Sequence, residues 1–286
     1  VKSHHGKTRK GGGGLSAIRH RGGEGEPLLL LHGFTANAET WRPILPHLER
    51  HHDVAAVTFP GHMGGPQMPV DFDHSMRASA DLAEAELDAE GFDKVHLVGN
   101  SLGGWLAIEL ARRGRALSMV AISPAGGWEL GSAEHRRLKR LFRRIRVSLH
   151  VGGPLAAVLA RFAASRRVAL GEIVAHPERM SPRDARTMIE AAWRCDAFEG
   201  VMGALGREPA PDPFEEASCR MRLVWGTRDR MLPMGRYSDR WRKMMPTAEW
   251  VELRGAGHVP MYDDPEGLAR AILEVTCPAL VRAGTK

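Results

Sequence analysis

Cysteine is scarce in this chain. Its 286 residues hold three, Cys195, Cys219 and Cys277. An odd number at wide spacing argues against a disulfide framework or a zinc site and suits a reducing compartment. Long apolar runs are absent as well, and none reaches the roughly 18 to 20 residues that a bilayer-spanning helix needs. The first residues, VKSHHGKTRKGGGG, are basic and glycine-rich and carry no apolar stretch of the secretory type. Residues 1–14 are therefore expected to form a disordered basic tail, and the protein to be cytoplasmic. Metal-binding patterns are missing too. His4 with His5, and His51 with His52, are adjacent pairs without the i, i+4 spacing or carboxylate partners of a zinc helix. No G-x-G-x-x-G follows the first long apolar run, so no metal and no cofactor is expected.

What remains has the proportions of an ordinary soluble protein. Hydrophobic residues make up 43% and charged residues 26%, enough for one large α/β domain with an insertion. The net charge of +6 is scattered over the chain, apart from the tail and a cluster at 136–146. No nucleic-acid motif accompanies it, so it is expected to be a solvated surface with no nucleic-acid partner.

Apolar runs and helical periods alternate along most of the chain. Strands are expected at 27–31, 54–59, 95–98, 117–122, 220–225 and 249–253, with a weaker edge strand at 15–21. A polar-then-helical stretch covers 38–50, and helices are expected at 74–90, from 102 onward, near 234–245 and at 265–281. From 128 to about 218 the rhythm changes to helical segments alone, at 133–150, 155–170 and 182–198, broken by Gly and Pro. Strands alternating with helices imply a mostly parallel twisted sheet covered on both faces, with binding at the carboxyl ends of the strands. The domain organisation expected is a tail (1–14), an α/β core (15–127 with 218–286) and an all-helical cap (128–217).

The most informative stretch is 94–113, KVHLVGNSLGGWLAIELARR. A short buried-strand signal (Val95, Leu97, Val98) leads into Gly99-Asn100-Ser101-Leu102-Gly103, and an apolar helical run follows. This is a G-x-S-x-G elbow between the elements that it requires. Ser101 must sit on a strained backbone with its hydroxyl pushed forward, and its neighbours must be too small to clash. The helix starting at Leu102 aims its amide groups at the same point. A serine needs a base, and the base an orienting acid. Two later strand ends supply candidates, Gly226-Thr227-Arg228-Asp229 and Arg254-Gly255-Ala256-Gly257-His258.

Other roles and other residues compete for these assignments. Ser101 also suits a structural β–α turn, and Asp229 a helix cap. Asp263 and Asp264 follow His258 too closely to come from a separate strand end, and the end of the 117–122 strand offers only Ser123 and Pro124. Among 14 histidines the rivals of His258 are His32 and His62, neither of which follows the last strand.

With HGF at 32–34, GNSLGG at 99–104, GTRD at 226–229 and GAGH at 255–258, the chain resembles the α/β-hydrolase superfamily over most of its length outside tail and cap. The resemblance implies Ser101 as nucleophile, His258 as general base and then acid, and Asp229 as the residue that holds the imidazole tautomer. It also implies an oxyanion hole from the backbone N–H groups of Phe34 and Leu102, a structural role for His32, and a place for His62 beside the pocket. Serine in place of aspartate at residue 101 disfavours dehalogenase or epoxide hydrolase chemistry.

Substrate-pocket candidates near these loops are Phe34, Trp105, Trp128, Met231 and Met261. In 136–146, Leu138, Leu141, Phe142 and Ile145 fall at helical spacing with basic residues on the other face. The ordinary reading is a cap helix packed on its neighbours; the sharper one adds contact with an anionic membrane surface. The expected function is a serine hydrolase, monomer or homodimer, that acts through an acyl-enzyme on a small-molecule, largely apolar carboxylic ester. The alternatives are C–C bond hydrolysis or cofactor-free perhydrolase chemistry on the same triad, and a ligand-binding receptor or scaffold that keeps the fold with little turnover.

Overall fold

The computed structural model of the chain describes residues 17–211, 213–214 and 218–278; the tail expected at 1–14 lies outside them. Among the described residues seven strands form one sheet: β1 (Ile18–Gly22), β2 (Glu26–Leu31), β3 (His52–Val57), β4 (Val95–Asn100), β5 (Ala116–Ile122), β6 (Arg220–Gly226) and β7 (Glu249–Leu253). Their spatial order is β1-β3-β2-β4-β5-β6-β7. Only β1 runs antiparallel, against β3; every other pair is parallel. The helices are α1 (Leu45–Leu48), α2 (Met76–Glu90), α3 (Leu102–Arg112), α4 (Ala133–Leu159), α5 (Ala163–Leu170), α6 (Pro182–Trp193), α7 (Phe198–Leu205), α8 (Ser238–Met244) and α9 (Pro265–Thr276).

The continuous apolar runs of the inner strands follow from burial on both faces. Successive side chains point to opposite sides, so Leu29 and Leu31 join one core with Ala55, Val57 and Leu97, beneath α2, α3 and α8. Leu28 and Leu30 join the other with Val54, Ala56 and Val98, beneath α1 and α9. β2 is seated between β3 and β4, with Leu30 in register with Ala56 and Val98. Parallel pairing thus places the carboxyl ends of β2 to β7 on one rim.

The expected strands recur with ends shifted by one or a few residues, as caps and pairing dictate. The helix expected from residue 74 begins at Met76, because the Ser75 side chain accepts the N–H of Ala78. The last helix is observed to Thr276, and 279–281 lie outside the described residues. Four helices, α4–α7, lie between β5 and β6 with no strand among the described residues. The expected break between 150 and 155 does not occur. α4 runs unbroken for 27 residues through Gly152-Gly153-Pro154. Gly153 is small for packing: a Cβ there would lie 2.9 Å from Cγ of Trp193 on α6. The chain turns instead at 160–162, before α5, and again at 194–197, which splits the helix expected over 182–198 into α6 and α7.

Two buried histidines brace the loops after β2 and β3. The N–H of Phe59 donates to His32 Nε2 (3.0 Å), so Nδ1 carries the proton and donates to the Gly33 carbonyl at 2.7 Å. His62 stacks edge-on at 5.0 Å and directs Nδ1 at the Pro60 carbonyl. Burial holds both neutral: His32 is held well below the usual imidazole range by burial and by His62, and burial pushes His62 down to about 4. An unfolded histidine titrates near about 6.5. Between those values the unfolded chain takes up a proton that folded His62 refuses, so stability present at neutral pH is lost as the pH falls. Urea titrations from pH 7 to 4 should show a loss of about 1.4 kcal/mol per pH unit for each such histidine, and His62→Gln should flatten that dependence. An unchanged slope in the variant would remove His62 from the account.

Candidate active site

The carboxyl end of β4 runs into Ser101, which has φ 54° and ψ −113° and begins α3 without capping it. A side chain in that region is strained by on the order of 1–3 kcal/mol, and close packing holds it there. A Cβ on Gly99 would lie 2.0 Å from the Gly103 carbonyl oxygen, and one on Gly103 would lie 2.1 Å from the Leu31 carbonyl oxygen. The strand, the turn and the helix therefore meet backbone to backbone. Ser101 donates its N–H to the Ile122 carbonyl of β5 at 2.9 Å, which ties the turn to the next strand.

Opposite it, the loop after β7 carries His258 and the turn after β6 carries Asp229; both are buried. His258 Nδ1 and Asp229 Oδ2 lie 2.7 Å apart, and the second Asp229 oxygen accepts the N–H of Leu232 at 2.7 Å. Nε2 of His258 is buried and has no hydrogen-bond partner, so the Ser101 hydroxyl does not bond to it in this structure. The N–H groups of Phe34 and Leu102 take no acceptor among the described residues. The second belongs to the first turn of α3, where the helix dipole favours negative charge.

Three of the rejected candidates are occupied elsewhere. Asp263 accepts backbone N–H groups from Gly257 (2.8 Å), Ala175 (3.0 Å) and His176 (2.8 Å). Asp264 caps α9 through the N–H of Gly267. His32 has both ring nitrogens committed to the backbone.

Three connections escaped the sequence. Asn100 donates through Nδ2 to the carbonyls of His258 (3.0 Å) and Ile122 (3.2 Å), so the residue before Ser101 holds the His258 loop against the sheet. Arg137 of α4 donates to the carbonyls of Arg230 (2.6 Å) and Met231 (2.7 Å), just beyond Asp229. Asp263 joins the His258 loop to residues 175–176 of the inserted segment. Its place just before the serine in the elbow motif was one available signal for Asn100. Nothing in the pattern marks the other two.

Beside Ser101 lies a cavity of about 10 Å³, room for on the order of one water. Phe34 and Leu102 line it, with Ala125 and Trp128 after β5, and Met231 and Leu232 after Asp229. The inserted helices close it with Leu138, Phe142 and Leu205. Its walls carry no charged side chain. Two expected pocket residues lie elsewhere. Trp105 faces away, its ring over Gly126 and edge-on to Trp128, because its place on α3 points into the core. Met261 is buried on the opposite face of the sheet, against α9. Among the described residues no three His, Cys, Asp or Glu side chains cluster as metal ligands, and no helix is long and apolar enough to cross a membrane.

Comparison with known proteins agrees with this architecture. Epoxide hydrolase EphH of Mycobacterium tuberculosis is 34% identical over 203 residues, 70% of this chain and 95% of that protein. The 2-hydroxy-6-oxo-2,4-heptadienoate hydrolase of Pseudomonas putida is 37% identical over 105 residues, 35% of this chain and 37% of the relative. A solved thermophilic esterase from Thermogutta terrifontis shares the fold with a TM-score of 0.70, at 22% identity over 89% of this chain and 90% of its own. Residues 28–271 match the description of the alpha/beta hydrolase family, and the chain belongs to that family.

Proposed function

We propose that the chain is a serine hydrolase that cleaves a largely apolar carboxylic ester through an acyl-enzyme. Residues 128–217 serve as the cap over a core of 15–127 and 218–286. The reading rests on one observation above the others: a buried imidazole, His258, fixed through Nδ1 by Asp229 and left with a free Nε2. In a buried place an unpartnered nitrogen is costly, and a role that uses its lone pair accounts for it. On substrate binding Ser101 Oγ attacks the ester carbonyl and His258 Nε2 takes its proton. The oxyanion is met by the N–H groups of Phe34 and Leu102, each worth on the order of 10²–10³ in rate. His258 then returns the proton to the departing alcohol, and water, activated the same way, releases the acid. Asp229 stabilises the imidazolium and holds the tautomer.

The chemistry in the relatives' names is a guide to alternatives. Attack of a serine oxygen on an epoxide carbon makes an alkyl ether with no carbonyl for water to enter, so Ser101 would be spent after one turn. Hydrolysis of a carbon–carbon bond is the second reading, and the likeness to the Pseudomonas putida enzyme favours it. A dienoate carries a carboxylate, however, and the cavity lining offers no cation to receive one. A neutral, apolar acyl group suits those walls better.

A fluorophosphonate probe should label the native protein and fail to label Ser101→Ala; a folded native protein that takes no label refutes the nucleophile. Asp229→Asn should lower kcat by about 10⁴ with the fold intact by circular dichroism, and near-native turnover would assign the acid role elsewhere. Phe142→Ala should widen the closed cavity. In a panel of p-nitrophenyl esters it should raise kcat/KM for octanoate relative to acetate by about tenfold; an unchanged ratio would remove Phe142 from the acyl site.

A further inference from the structure

The inserted helices have a second face, turned away from the cavity. Between His135 and Gly171 there are ten Arg and Lys residues and not one Asp or Glu. α4, about 40 Å long at 1.5 Å per residue, keeps Leu138 and Phe142 inward. Its opposite side is divided in two. Arg136, Arg140, Arg143 and Arg144 occupy the first half, all exposed. Arg140, Arg143 and Arg144 take part in no ion pair among the described residues. Val147, Val151, Leu155 and Val158 continue the same stripe at i, i+4, i+8 and i+11, and stand 60%, 82%, 62% and 54% exposed. Phe162 follows at the helix end, half exposed, with the Arg161 guanidinium 4.7 Å from its ring centre.

An apolar stripe of this length in water marks a contact surface. A second copy of the chain would cover the valines and leucine yet leave the arginine row unmatched, since the segment carries no carboxylate to offer in return. One kind of surface answers both halves at once: anionic headgroups for the guanidinium row and acyl chains for the apolar row. We infer that the outer face of α4, to the turn at Phe162, docks on an anionic lipid surface. The same helix closes the cavity beside Ser101, so the lipid surface and the substrate meet opposite faces of one element. The inference holds whether or not Ser101 is the nucleophile, because binding is read without turnover.

Flotation of the full chain with phosphatidylcholine vesicles, with and without phosphatidylglycerol, tests it. The protein should partition at least about tenfold more strongly onto the anionic vesicles, and high salt should weaken that preference. The double variant Val151→Asp with Leu155→Asp should lose about tenfold or more in partitioning. The triple variant Arg140→Gln, Arg143→Gln, Arg144→Gln should lose the preference for anionic lipid. All five side chains are exposed, and thermal midpoints near the native value will show that the variants fold. Equal partitioning onto both vesicle types, or anionic binding untouched by either set of changes, overturns the proposal. So does a native dimer in light scattering that the 151/155 variant splits, which would make the face a contact between copies.

Discussion

Everything on the carboxyl rim of the sheet depends on a forced approach of backbone to backbone where β4 turns into α3. Ser101 can hold a positive φ only because Gly99, Gly103 and the carbonyl of Leu31 pack without any side chain between them. That contact fixes the height of the hydroxyl above the sheet and the direction of the first amides of α3. The hydrogen bond from Ser101 N–H to Ile122 then passes the geometry to β5. Strain is thus carried by the surrounding sheet, whose inner strands are buried on both faces and cannot yield cheaply.

Much of this arrangement was legible in the amino-acid order, for physical reasons that differ from element to element. Inner strands such as β2 announce themselves because burial on both faces demands an unbroken apolar run, and α2 because its cap and its alanines agree. The elbow is readable because strain admits so few residues. What escaped depended on contacts between distant segments. Gly152-Gly153-Pro154 looks like a helix stop in isolation, yet the tight crossing with Trp193 makes the small residue a packing device inside α4. Trp105 and Met261 stand near the right loops in sequence, and only the direction of their side chains, into the core on opposite faces of the sheet, removes them from the cavity. Leu138, Phe142 and Leu205 enter it from helices whose fold-back no local pattern reveals.

The cavity is walled by apolar side chains apart from Ser101, and the imidazole–carboxylate pair of His258 and Asp229 is buried. In such surroundings a fixed amide interacts with charge more strongly than it would in water. His62 and His32, kept neutral close by, add no competing positive charge at neutral pH. The cost is access. With so little free space beside Ser101, a molecule enters only as Phe142, Leu138 or Leu205 gives way.

Arg137 and Asp263 lend that movement a further meaning. One fastens the inserted helices to the carbonyls beyond Asp229, the other to the loop that ends in His258. The roof therefore acts as scaffolding for the loops that carry Asp229 and His258. Trimming it away would do more than open the cavity: it would release both loops and, with them, the pairing of imidazole and carboxylate.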